Sequence, residues 1–502
     1  MARRPSLPQL PTYRKDAVTR KLCAHVHLDE HFAREVDTEL TADRMTALGL
    51  PLGIHLIALA RHARAAVRRS ERRDRVLSRL FLALWAGLAV LVWGFVSGNA
   101  VGPWAGGGVM AGSLAGAWWA VHAALSASWT AAQDVYWGSA RPETLADPVE
   151  QRAEDRLRAL AKANVVPYTA AAARTDPFVG SGRKIKDVVW QPIDVSRPAE
   201  DPANPGRKLT IVPFDAVDLH TYVAKEMAKI AGLEGLRARN RLYVCGDHVQ
   251  LLADELLEEP QGRPRAQIDT DLVRTGLLNP GAGMQTFLSL ERVSDGGRVI
   301  VTMQLRARLH HPSLSWEVLV FVIPPVDEAV YNLAGALPLR GFERAWKLLA
   351  ATRRDCWPGL RGAWGRNSER RGRARARARD LRNLRREIVE RQVVFDHGAT
   401  GSIRESVSSW DNMLHSDRSD SRDYLHRLQS GVLTATERFL KDHRVDTSSY
   451  DQAVQVISTQ TYNISGDIHG SNVGSNGTVN QHGQGGPGGQ QGAPAQPGHV
   501  RP

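Results

Sequence analysis

The sequence predicts a membrane α-helical hairpin joined to a cytoplasmic α+β domain, followed by a basic helical C-terminal region and a short β-prone, then disordered, tail. Three observations carry this reading. A long run lacks charged residues, a series of short alternating apolar runs follows it, and the last stretch is nearly free of charge and rich in Asn and Gly. With 502 residues the chain has room for two or three domains, or for one sizeable core with extensions.

Residues 1–78 are expected to form a cytoplasmic helical segment, with "DAVTRKLCAHVHLDEHFAREVDTELT" as its clearest helix. His25, His27 and His31 lie within it. His27 and His31 share a helix face, but the order of Glu30 does not fit H-E-x-x-H, and the three read as an ordinary polar face.

The hairpin is expected over 79–133. From Leu80 to Gln133 there is no Asp, Glu, Lys or Arg, and His122 is the only ionisable side chain. At ~1.5 Å per residue the run is about 80 Å long, enough to cross a ~30 Å hydrocarbon layer twice. "NAVGP", Asn99 to Pro103, supplies the turn. In the second pass Gly108, Gly112, Gly116 and Ala120 form a four-residue stripe of small side chains on which another helix could pack, within a homo-oligomer for example. Trp85, Trp93, Trp104, Trp118, Trp119 and Trp129 are candidate interfacial anchors. The alternative, a buried soluble hairpin, is disfavoured because ordinary cores are not charge-free for so long. A cleavable leader is not expected so far into the chain.

"RHARAAVRRSERRDRVLSR", Arg61 to Arg79, carries eight arginines against two acids before the first pass, and the turn carries no charge. The positive-inside rule then places both termini in the cytoplasm and the protein in the cell inner membrane as a multi-pass chain.

A charged juxtamembrane helix is expected in 134–163, then the α+β domain over 164–325. Its strand candidates are "NVVPYTA", "KDVVWQPIDVS", "RKLTIVPF", "RLYVCG", "MQTFLSLERV", "RVIVTMQLRARL" and "WEVLVFVIPP". One helix interrupts them, "DAVDLHTYVAKEMAKIAG", capped by Asp215. "PFVGSGRK" is neither a Walker loop nor G-x-G-x-x-G and reads as a tight turn. Cys245, Asp247 and His248 adjoin in "CGDHVQ", where proximity in sequence alone does not make a catalytic arrangement. No catalytic residue, cofactor or metal site is expected. The remaining cysteines, Cys23 and Cys356, are too scattered for a disulfide framework, which suits a reducing compartment.

Residues 326–450 are expected to be an Arg-rich helical region. The formal charge of +12 points to an anionic partner. Arg370, Arg371, Arg373, Arg375, Arg377 and Arg379 are the candidate contacts for anionic inner-leaflet lipid or, as the lesser alternative, nucleic acid. No aromatic residue interleaves with them to stack on bases. "RDYLHRLQSGVLTATERFLKDH" should form an amphipathic helix that packs on the body or on a partner.

The segment 451–482 is β-prone, and 483–502 is compositionally disordered. "GDIHG", Gly466 to Gly470, matches the opening letters of a metallophosphoesterase site, but the downstream ligands that a two-metal centre needs are missing. Ile464, Gly466, Ile468, Gly470, Val473 and Val479 instead suit self-assembly, within the loose repeat "NISGDIHGS" and "NVGSNGTVN". This stretch resembles the amyloid signalling motifs at the termini of some bacterial defence proteins. It departs from them in having "SNVGSN" where a valine-glutamine core is usual.

"RKLCAHVHLDEHFAREV", "PFVGSG", "FVIPP" and "VDTSSYDQAVQVIS" resemble a family of uncharacterised actinobacterial membrane proteins. The resemblance implies a layout and no activity. The expected function is therefore a non-enzymatic inner-membrane scaffold or signalling protein with a cytoplasmic binding domain and a self-assembling tail. The alternatives are an enzyme with an unrecognised site in the α+β domain, or a membrane-tethered nucleic-acid binder.

Overall fold

The computed structural model describes residues 14–174, 176–259, 262–281, 283–337, 341–391, 393–448 and 450. The self-assembly residues Ile464, Gly466, Ile468, Gly470, Val473 and Val479 lie outside them, as do segments 451–482 and 483–502.

Two short helices come first, α1 (Ala17–Leu28) and α2 (Glu30–Asp37). Asp29 starts the second by accepting from the backbone N–H groups of His31 and Phe32. Helix α3 (Leu56–Ser97) then runs unbroken for 42 residues, about 63 Å, from the arginine-rich stretch into the apolar one. It ends at Gly98, whose φ of 65° is the left-handed conformation a glycine C-cap adopts. Helix α4 (Val101–Trp137) returns beside it, and α5 (Gln151–Leu160) follows. Both long helices overrun the 79–133 limits, because no proline or glycine interrupts the backbone where charge gives way to apolar side chains. Both are long and apolar enough to cross a membrane, and only 11% and 17% of their most apolar windows is buried. That exposure separates them from the core helices of a soluble fold.

The α+β body contains β1 (Val165–Tyr168), β2 (Arg183–Val189), β3 (Ile193–Asp194), α6 (Ala216–Met227), β4 (Arg237–Cys245), α7 (Ala253–Leu256), α8 (Thr270–Leu278), β5 (Met284–Val293), β6 (Ile300–His310) and β7 (Ser313–Ile323). After them come α9 (Glu328–Tyr331), α10 (Leu333–Ala336), α11 (Gly341–Arg391), α12 (Ile403–Ser406) and α13 (His415–Asp442). The seven-stranded sheet has the order β1-β4-β5-β6-β7-β2, with β3 also paired to β7. Only β1 and β4 run parallel; the other pairs are antiparallel. Asp215 caps α6 through a capping box with Asp218, as its sequence requires. The expected strand "RKLTIVPF" does not form. Its Leu209 and Val212 amides donate to Ala199 and His443, and Ile211 and Phe214 pack on the core beside α13.

Strand β7 shows why the body has three layers. Val318, Val320 and Val322 face α6 and α13, where they meet Leu219, Val223, Leu428 and Val432. Leu319, Phe321 and Ile323 face the other way, towards Leu22, Val26, Leu50 and Leu59 of the N-terminal segment. The period of two in the strand thus buries both faces. Residues before the hairpin and after the arginine-rich helix are therefore outer layers of one fold.

His220 sits within the α6 layer. Its Nδ1 meets Asn240 Oδ1 at 3.1 Å, and its Nε2 accepts the Ala307 amide at 3.0 Å. Such a ring is bonded as neutral imidazole, and burial pulls its pKa down to about 4. Above its unfolded value of ~6.5 neither state gains a proton, so stability is level there. As pH falls from there towards 4, the unfolded chain takes up a proton that the folded one refuses. Stability should fall by about 1.4 kcal/mol per pH unit in that window. Chemical denaturation from pH 7 to 4 should show this slope, and His220→Gln should flatten it.

The hairpin meets the body without a linker. Buried Arg20 of α1 donates to the carbonyls of Val135, Gly138 and Ala140, satisfying the C-terminus of α4. His27 is buried rather than part of a polar face. Its Nε2 meets His62 Nδ1 at 2.9 Å, and His62 Nε2 meets the Pro142 carbonyl at 2.9 Å. The carbonyl can only accept, so both rings are neutral and donate along the chain; burial lowers both pKa values. His31 stands exposed and apart.

Candidate functional site

At the C-terminal end of β4 the chain turns into a 3-10 segment, Gly246–Leu252. The turn brings Cys245 Sγ, a carboxylate oxygen of Asp247 and a ring nitrogen of His248 within 4.8 Å of one another. Gly283 makes this approach feasible. Its φ is 69°, and a Cβ there would stand 2.9 Å from Cys245 Cβ and 3.1 Å from the His248 ring. Asp247 Oδ1 is buried, 3.9 Å from His248 Nε2. Thiolate, carboxylate and imidazole are the donors that zinc-like cations take, and three protein ligands leave a fourth position open. Without a cation, burial and Asp247 push the Cys245 thiol up to about 11. Iodoacetamide at pH 8 should then modify Cys245 roughly a hundredfold more slowly than an ordinary cysteine, read by mass spectrometry. Asp247→Asn should recover part of that rate.

The glycine-rich turn serves a different purpose. Gly180 and Gly182 have φ values of 90° and 101°, and their N–H groups donate to Glu405 of α12 at 3.1 and 2.6 Å. An anion cradle is present, but the chain's own carboxylate fills it. The turn borders a 420 Å³ cavity whose polar lining includes Asp176, Arg183 and Glu405. Burial raises the pKa of both acids.

Helix α11 carries the predicted arginine cluster and packs against the hairpin. Leu360 and Ala363 meet Leu77, Ala117 and Val121, and His122 Nδ1 lies 3.2 Å from Thr352 Oγ1. Arg370 ends at the buried carboxylate of Asp74, together with Arg366 and Arg73. It is therefore a structural ion-pair residue rather than a free lipid contact. Arg371, Arg373, Arg375, Arg377 and Arg379 are exposed, and Arg373 pairs with Glu369 at 2.8 Å. Sequence reasoning passed over Phe342, Trp346, Leu349, Trp357 and Trp364. They are exposed along one side of the same helix, with Phe342 83% accessible. Their spacing of three, four, seven and eight residues was the available signal.

The stripe Gly108, Gly112, Gly116 and Ala120 does not build the hairpin's own crossing. A Cβ at Gly108 or Gly112 would meet open space, and one at Gly116 only Leu80. The close approach lies one face away, where Gly94 opposes Gly102 and Gly106 opposes Gly87 and Leu91. Four-residue spacing marks a smooth helix face without saying which neighbour uses it.

A family model for the AbeC-like domain matches residues 189–480, more than half of the chain. The matched stretch begins at the end of β2 and takes in α11 and α13, while the hairpin lies before it. No curated protein and no solved structure matches. The chain belongs to the AbeC-like domain family.

Proposed function

We propose that this chain is a non-enzymatic scaffold or signalling protein of the bacterial inner membrane, with both termini in the cytoplasm. On this reading the α+β body binds a cytoplasmic partner, and the tail assembles copies of the chain. The observation that carries it is the exposed apolar surface of α3 and α4, built without a linker onto the body. The aromatic side of α11 and the guanidinium groups of Arg371 to Arg379 continue that surface with the composition of an interfacial helix facing anionic lipid. The test is fractionation of cells expressing the full chain. It should pellet with membranes, resist alkaline carbonate and leave only with detergent, and protease outside intact cells should trim neither terminus. Recovery in the soluble fraction without detergent refutes the reading. Deleting residues 462–502 should reduce the size of the detergent-purified assembly, and an unchanged size removes the tail's role.

The convergence of Cys245, Asp247 and His248 favours a second reading, in which the body holds a catalytic cation. Cobalt added to the purified chain should then give a thiolate charge-transfer band that Cys245→Ser abolishes. No band means no thiolate-ligated cation.

A further inference from the structure

A 250 Å³ cavity on the body side of the hairpin is lined by Arg61, Arg64, Arg68, Arg69, Arg72 and Asp147. Arg61, Arg64, Arg68 and Arg72 recur every three or four residues, so they share one face of α3 over about 17 Å. Two of them are already engaged. Arg61 grips Glu154 with two hydrogen bonds of 2.8 Å, and Arg64 pairs with Asp37 at 3.0 Å. Their guanidinium groups are fixed and neutralised.

Arg68, Arg72 and the neighbouring Arg69 are different. Arg69 is held by Ser128 Oγ at 3.2 Å and by His27 Nδ1 at 3.4 Å, neither of them a carboxylate. Because His27 is neutral, its Nδ1 lone pair aims the guanidinium without cancelling its charge. Arg68 and Arg72 are exposed, and neither forms an ion pair among the described residues. The nearby acids are Asp147 in the lining, Glu71 on the neighbouring side of α3, and Asp37, which pairs with Arg64 and also attracts Arg68. Three cations thus converge on one cleft, with one carboxylate lining it.

We propose that this cleft binds a phosphate-bearing anion between Arg68, Arg69 and Arg72. The planar guanidinium fork matches two phosphate oxygens, and several forks on one cleft select a multiply charged group over chloride. Arg72 lies eight residues before Leu80, about 12 Å below the charge-free run. A lipid headgroup and a free phosphate compound can both present this chemistry. Asp147 opposes a bare anion, so it weakens binding that the arginines create.

The test uses the full chain in neutral detergent and two probes, sodium pyrophosphate and short-chain phosphatidylglycerol, with short-chain phosphatidylcholine as control. Calorimetric titration should show binding of at least one anionic probe. The double change Arg68→Glu and Arg72→Glu, both on exposed positions, should weaken it at least about tenfold. Asp147→Asn should tighten it severalfold, which a merely structural role for these residues would not produce. Arg418→Glu with Arg422→Glu, on exposed positions of α13, should leave it unchanged. Binding of pyrophosphate assigns a soluble ligand, and binding of phosphatidylglycerol alone assigns a headgroup. The proposal is overturned if neither anion binds, if the Arg68 and Arg72 reversal has no effect, or if the α13 reversal weakens binding equally. Pyrophosphate binding does not require the chain to be a membrane protein, so this result and the fractionation result can fail separately.

Discussion

Asp74→Asn should release α11 from the hairpin. The side chain of Asp74 is fully buried, and three arginines converge on it. Arg73 donates at 2.9 Å, Arg366 at 3.1 and 3.2 Å, and Arg370 closes the cluster. Burial pushes the carboxyl's pKa up, but Arg366 and Arg73 outweigh it and hold the group below its usual range. A group lowered in this way stabilises the fold above its unfolded pKa and loses that contribution as pH falls through the folded value. At neutral pH the clamp is therefore fully engaged. Asparagine keeps the size, removes the charge and turns an N–H donor towards guanidinium groups that have only donors. Removing one partner of a buried pair costs about 3–5 kcal/mol, since the others stay desolvated. Trypsin applied to the detergent-purified variant should cut at Arg353, Arg354 and Arg361, which the intact helix protects. Arg366→Gln should have a smaller effect, because Arg73 and Arg370 still serve the carboxylate. A digestion pattern equal to that of the unaltered chain would show that apolar packing at Leu360 and Ala363 holds α11 unaided.

This cluster also marks the limit of what could be read from the sequence. Asp74 and Arg366 lie far apart in the chain, and each sits in a charged run whose local reading is solvation. Features set by neighbours in sequence were legible. Asp215 announced its helix, the apolar run before Ile323 announced a strand, and the absence of charge from Leu80 to Gln133 announced the long apolar helices. Features set by contact were not. The Gly180–Gly182 turn read as a tight turn and no more, and nothing near Glu405 in sequence says that its carboxylate is what the turn holds. Residues 207–214 alternate like a strand because one side rests on α13, an element more than two hundred positions later. The Cys245 trio was visible as letters, but its convergence depends on Gly283, which lets two segments approach.

The hairpin's glycines offer the clearest separation between spacing and contact, and Gly106→Leu should open it. A Cβ at Gly106 would lie 2.5 Å from the Leu91 amide nitrogen and 2.6 Å from the Gly87 carbonyl. Both are backbone atoms of α3 and cannot swing aside as a flexible side chain can. At Gly94 the obstruction is similar, with Gly102 backbone at 2.8 Å. Overpacking a well-formed core costs about 1–3 kcal/mol. Here the cost should reach the upper end, because the helices must separate along their length. On the proposed membrane reading, lipid supplies little hydrophobic drive to bring them back together, so the packing lost is not replaced. Gly112→Leu on the adjacent face places the same side chain in open space and should leave the unfolding midpoint in detergent unchanged. The pair therefore separates two roles for small residues in one helix. A fall in midpoint confined to Gly106→Leu assigns the α3–α4 crossing to its face, whereas a loss of oligomer without loss of midpoint in Gly112→Leu assigns the outer stripe to contact between copies. Equal midpoints for the two variants would mean that the helices are not held together at Gly106.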